Sequence, residues 1–221
     1  MELIRFPPET TVRTEKLTFE QIDSIPYIDE NGGHVDHKNA ERDEQLVAKQ
    51  YIQSTDSVLE LGGRFGTVSA VINNMLDDPM KHIVIEPDKN VIPSLLENRN
   101  THNSYFTVYQ NIICNKPKNL ICACYATRVV DVVDNDTQVA PSMKLQDLID
   151  YHGFDFNVLV ADCEGCMEEF VKDNMEFIRR LRMITYEQDF EELSNYKNVS
   201  NMLRELGFRC VRNAFHMVWL K

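Results

Sequence analysis

The chain has 221 residues, 43% of them hydrophobic, and a formal net charge of −12. That length suits one well-buried α/β domain and is short for two. No apolar run reaches the roughly 18 to 20 residues of a membrane span, the N-terminus has no signal-peptide core, and the negative field repels a phosphate backbone. These features point to a cytoplasmic chain, or a cytoplasmic domain cut from something larger, with a small molecule or sugar rather than nucleic acid as its partner.

Residues 1–38, with Pro7, Pro8, Pro26, Gly32 and Gly33, read as an irregular segment able to fold over a site as a lid, apart from a short helix at Thr18 to Ser24. A domain spanning 39–221 follows. Asn39 is expected to cap a helix running to about Gln53, with Glu41, Asp43 and Glu44 in its first turn. Strands are expected at Ser57–Leu61, His82–Glu86, Tyr105–Ile113, Phe156–Asp162 and Met183–Glu187. Between them the pattern predicts helices at Thr67–Leu76, Asp88–Asn100, Leu145–Tyr151 and Cys166–Leu181. Extra strands are expected at Asn119–Thr127 and Val129–Val133, and a helix at Val199–Leu206 precedes a closing hairpin, Phe208–Arg212 with Phe215–Leu220. Val- and Ile-rich strands alternating with helices imply a doubly wound, mostly parallel sheet, and the hairpin adds an antiparallel strand at its C-terminal edge. Arg179, Arg180 and Arg182 read as cations at a helix C-terminus rather than a phosphate-binding patch.

Of the six cysteines, Cys122, Cys124, Cys163 and Cys166 have a spacing that invites a zinc reading. Buried core thiols are the expectation instead. Asp162 and Glu164 beside Cys163 argue against a thioredoxin-type redox pair, because negative neighbours raise thiol pKa.

In such sheets ligands bind beyond the carboxyl ends of the strands. After the first strand comes Glu60-Leu61-Gly62-Gly63-Arg64-Phe65-Gly66, where glycines permit a tight turn and close approach of a ligand. After the second comes Glu86-Pro87-Asp88, twenty residues past Gly66, where an acid can take both ribose hydroxyls. A dinucleotide loop needs glycine where Arg64 stands, so NAD(P) chemistry is the weaker alternative. S-adenosylmethionine has no phosphates, and Glu60 can accommodate its charged amino-acid end. Asn111, just past the third strand, is placed to meet the adenine edge, and Phe65 or Tyr125 to stack on a ring.

Val58 to Gly66 resembles the first motif of class I methyltransferases, and Ile83 to Asp88 resembles their second. Lys144-Leu145-Gln146-Asp147-Leu148-Ile149, then Val158 to Gly165 ending in Asp162-Cys163-Glu164-Gly165, resembles the FkbM-type branch. Ile184-Thr185-Tyr186-Glu187 resembles that branch's next strand. Cys163 and Cys166 depart from it, standing where the family has Val and Ala. The resemblance covers about Ser57 to Lys221 and implies a Rossmann-like fold, S-adenosylmethionine as cofactor and O-methylation of a sugar or natural-product hydroxyl. The texture is also similar to methyltransferase domains of large algal-virus (chlorovirus) proteins that build rhamnose-containing glycans. That likeness implies a viral origin, a rhamnose acceptor and a glycosyltransferase on the same polypeptide.

Glu60, Gly62, Gly63, Arg64, Gly66, Glu86, Asp88, Asn111 and Asp162 are therefore the candidate cofactor ligands. A sugar hydroxyl is weakly acidic, so a base or a metal is expected. Asp162 and Glu187 are the candidate bases, with His34 or His37 supplied by the N-terminal segment. Asp162, Glu187 and Asp189 are candidate ligands for Mg2+ or Mn2+. A non-catalytic module of the same fold is the remaining alternative.

Overall fold

The computed structural model describes residues 3–4, 16–122, 127–131 and 137–221. The expected positions of Cys124 and Tyr125 lie outside these. The chain divides into two compact units, Met1–Gln110 and Asn111–Lys221.

The first unit holds β1 (Leu3–Ile4), α1 (Phe19–Ser24), α2 (His37–Ala40), α3 (Arg42–Tyr51), β2 (Val58–Leu61), α4 (Thr67–Met75), β3 (His82–Ile85), α5 (Ile92–Thr101) and β4 (Thr107–Tyr109). β2, β3 and β4 run parallel, and β1 pairs antiparallel with β4. Every residue of β2 and β3 is buried, as continuous apolar runs covered on both faces require. The two polar exceptions satisfy each other: Nε2 of His82 lies 2.7 Å from Oε2 of Glu60, while the Ser69 hydroxyl donates to Oε1 at 2.9 Å.

The segment before residue 38 is built into this unit. Tyr27 and Val35 share a core cluster with Phe65, Ala70 and Val91. The Asn98 side chain accepts from Ile28 N and donates to Ile28 O, and also donates to Phe65 O. α1 begins with a capping box, in which the Gln21 amide N–H donates to Thr18 Oγ1 and the Thr18 N–H to Gln21 Oε1. Asn39 caps nothing; it lies inside α2 and donates to Asp36 Oδ2, and Glu41 is the residue before α3. α5 starts later than expected because Asp88 turns the chain first, its Oδ1 accepting from Asn90 N.

The second unit holds β5 (Ile112–Ile113), β6 (Asn119–Ile121), β7 (Arg128–Val130), β8 (Thr137–Val139), β9 (Ser142–Met143), α6 (Leu145–His152), β10 (Val158–Ala161), α7 (Met167–Asp173), α8 (Met175–Arg180), β11 (Met183–Glu187), α9 (Tyr196–Glu205), β12 (Arg209–Arg212) and β13 (His216–Leu220). β10 and β11 are parallel, β13 is antiparallel to β11, and β12 is antiparallel to β13. The expected strand at 105–113 splits, because Ile112 leaves β4 and pairs with Ser142 of β9. β6, β7 and β8 form a separate small antiparallel sheet. The helix expected at 166–181 breaks at Asn174, whose side-chain amide and backbone N–H both donate to Phe170 O. The fold is thus mixed α/β with a mostly parallel central sheet and an antiparallel strand near its C-terminus.

Candidate functional site

Unit one carries the glycine turn. Gly62 and Gly66 have φ of +87° and +76°, the left-handed region that glycine enters without a steric penalty. Gly63 is demanded by packing, since a Cβ there would lie 2.3 Å from Val84 Cγ1. Arg64 is left-handed as well, at φ +37°. What holds it there is Glu86, whose Oε2 accepts the Arg64 N–H at 2.8 Å and whose Oε1 accepts the Asp88 N–H at 2.8 Å. One carboxylate therefore ties the end of β2 to the end of β3. Burial pushes the Glu86 carboxyl up to about 6, against the two backbone N–H groups that favour its charged form. Asp88 is buried beside it, and Asn111 is buried just past β4.

Several expected ligands are otherwise engaged. Glu60 has a partner on each oxygen, Ser69 on one and His82 on the other, and so braces β2 against α4 and β3. Phe65 is a core residue, not an exposed stacking platform. His37 is 2% exposed, its Nδ1 is within hydrogen-bond distance of the Gln45 side chain, and its ring packs on the edge of Tyr27. Burial holds its pKa below the usual histidine value. His34 is exposed, in an isolated bridge to Ile28.

The second unit carries an acidic cluster. Parallel pairing sets Ala161 opposite Tyr186, which brings the chain after β10 beside the chain after β11. Carboxylate oxygens of Asp162, Glu164 and Asp189 lie within 4.8 Å of one another. Glu164, not Glu187, completes this trio. Glu187 turns instead to His216, with Oε1 3.2 Å from Nε2, because β11 and β13 place the two residues directly opposite. Burial raises the Glu187 carboxyl, but hydrogen bonds to His216 and Asp162 outweigh it and the net shift is downward. Asp189 moves the other way: burial and the charge of Glu187 hold it above the usual carboxylate range, although Tyr196 Oη donates to its Oδ1 at 2.6 Å. Two neighbouring acids pushed apart in this way are suited to trading a proton.

The turn that bears Glu164 is closed by a disulfide between Cys163 and Cys166, where the sequence offered no reason to expect one. Among the described residues Cys114, Cys122 and Cys210 are not disulfide-bonded. Beside the cluster lies a groove of about 670 Å³, lined by Gln188, Asn195, Tyr196, Arg204 and Asn213 among others. Tyr196 belongs to both the groove and the cluster. His216 and Tyr196 were not legible as functional in the sequence; only the register of the closing hairpin and the start of α9 bring them to the acids.

No protein-family model matches the sequence, and no curated protein matches it. Solved structures do. A protein of Klebsiella pneumoniae provisionally described as an O-methyltransferase aligns over 84% of this chain and 82% of its own, at 11% identity and a TM-score of 0.50. A protein of Clostridium thermocellum provisionally described as an rRNA methylase aligns over 84% and 96%, at 10% identity and a TM-score of 0.50. At these identities the likeness is one of architecture, and it establishes that the chain has the Rossmann-like fold shared with methyltransferases.

Proposed function

We propose that this chain is an S-adenosylmethionine-dependent O-methyltransferase of the FkbM type, acting on a sugar hydroxyl. The observation that carries the reading is the glycine turn clasped by Glu86. The clasp sets the backbone of residues 62–66 and an acid at the end of β3 in the arrangement a nucleoside needs, with a carboxylate for the ribose hydroxyls and no glycine at position 64 to admit a pyrophosphate. When bound, the cofactor supplies a methyl group on a sulfonium, a leaving group that needs no activation. The chain's remaining task is to hold the acceptor and take its proton.

The acidic cluster supports that second task. Glu187, held in its charged form by His216, and Asp162 beside it are the proposed proton acceptors for the hydroxyl. The groove lined by amide, phenol and guanidinium groups suits a polyhydroxylated acceptor. Three carboxylates of the Asp162 trio are also the hard-oxygen donor set that Mg2+ or Mn2+ takes, which would make the acceptor hydroxyl more acidic.

The test is calorimetric titration with S-adenosylhomocysteine and, separately, NADPH. Adenosylhomocysteine should bind and NADPH should not. Glu86→Gln, which keeps the shape but loses an acceptor, should weaken adenosylhomocysteine about tenfold, the loss expected for hydrogen bonds to a charged group. Unchanged affinity would remove Glu86 from the cofactor site, and tight NADPH binding would replace the reading by nicotinamide chemistry. Turnover on candidate glycans in excess chelator then separates the two roles of the acids: retained turnover assigns them to proton transfer alone.

A further inference from the structure

We propose that Cys163 and Cys166 form a reversible dithiol–disulfide site that fixes the conformation of the acid-bearing turn between β10 and α7. This rests on the functional reading above only for its effect on turnover. The site itself is carried by four observations within the second unit.

First, the disulfide closes a ring over Glu164 and Gly165 alone. So short a ring removes little freedom from the unfolded chain, so its main consequence is local geometry rather than global stability. Second, the enclosed residues are both left-handed, Glu164 at φ +52° and Gly165 at φ +89°. Gly165 adopts that region freely, whereas Glu164 does so at a steric cost and stays only where the surroundings hold it. Third, the turn is docked on the segment after β11: Gly165 N–H donates to Asp189 Oδ1 at 2.9 Å, and a Cβ on Gly165 would lie 2.8 Å from Leu193 Cβ. The disulfide, this docking and a side-chain hydrogen bond between Glu164 and Asp189 together hold Glu164 within the Asp162–Glu164–Asp189 trio. Fourth, both cysteines are only part-buried, as an exchange-competent pair requires.

The reaction partner is a dithiol reductant. One of its thiolates attacks a cysteine sulfur, and the S–S bonding pair leaves on the other cysteine as a thiolate that takes up a proton. The second thiolate of the reductant displaces the mixed disulfide, releasing the remaining cysteine as a thiol. Two electrons and two protons pass to the protein, and the reductant leaves as its own disulfide. With the ring open, Glu164 keeps its hydrogen bond to Asp189 and the docking of Gly165 but loses the covalent restraint on its left-handed backbone, and the turn relaxes.

Thiol titration of the denatured protein gives the first readout. With six cysteines in the chain and one disulfide among the described residues, four thiols should react before dithiothreitol treatment and six after it. Hydrogen exchange gives the second: amides of residues 163–167 should exchange on the order of tenfold faster after reduction and slow again on reoxidation by glutathione disulfide. A Cys163→Ser/Cys166→Ser variant should show the fast exchange with or without dithiothreitol. Six reactive thiols in the isolated protein that oxidation does not reduce to four, or exchange in this turn indifferent to redox state, would overturn the proposal. Methyl transfer is expected to fall roughly tenfold on reduction, in line with displacement of a positioning group. No methyl transfer in either state would sink the functional reading instead, and the exchange data would still decide this one.

Discussion

Glu86 is a scaffold residue that the proposed function also makes a ligand. Its two oxygens already accept two backbone N–H groups, and each retains a further lone pair for an incoming hydroxyl. Its raised pKa has a consequence for stability whose sign is fixed. Glu86 binds its proton more tightly in the folded state, so its contribution is fully present below about pH 4.5 and is lost as pH rises through about 6. The loss is about 2 kcal/mol. Urea unfolding of wild type and Glu86→Gln should therefore show the variant gaining on wild type by about that amount between pH 4.5 and 7. If cofactor binding uses the charged form, adenosylhomocysteine affinity should weaken below pH 6 in wild type and not in the variant. Gly63 is the steric counterpart. Gly63→Ala drives a methyl group into Val84 and should cost about 2 kcal/mol, read as a fall in thermal midpoint. An unchanged midpoint would mean that β3 gives way there at no cost. The glycine turn was legible in the sequence because its chemistry is local. The bracing of Glu60 was not legible for the opposite reason: its partner His82 is twenty-two residues away and comes beside it only when β2 and β3 pair.

The helices and strands follow the same division between local and distant causes. The capping box of α1 is written in four consecutive residues, and Thr18→Ala should lower stability by about 1 kcal/mol, measurable by chemical denaturation. No change would show that the tertiary contacts of the segment, such as Leu17 N–H to Asn74 Oδ1, hold it without the cap. The parallel strands were legible because β-branched runs between glycine-bearing turns have few other uses. The break between α7 and α8 was not, since Asn174 ends one helix by turning its own amide back on Phe170. The disulfide was hidden by sound electrostatics: acidic neighbours disfavour a reactive thiolate, but they do not prevent two sulfurs from meeting across a left-handed turn. Glu187 was expected beside Asp162 because the two end neighbouring strands, and the antiparallel closing hairpin adds His216 as its partner.

At the scale of the whole chain, charge separates acceptors that the fold does not. Relatives by architecture include a protein described as an rRNA methylase, yet this chain carries a net charge of −12. An RNA acceptor would have to approach against that field. The expected outcome is no retention on immobilised RNA at about 0.15 M salt, where the screening length is about 8 Å. Salt-sensitive retention would redirect the search for an acceptor from sugars to nucleic acid.

The outer strand of the C-terminal hairpin bears on what the protein does in a crowded solution. β12 loses register with β13 between Cys210 and Arg212, and Arg209 and Arg212 flank the irregularity. Arg212 also turns its guanidinium inward to His216 O at 2.7 Å, pinning the hairpin to itself. A kinked rim studded with cations offers a poor template for a stray strand from another molecule. The same irregularity that shapes one wall of the groove thus works as a guard against edge-to-edge aggregation.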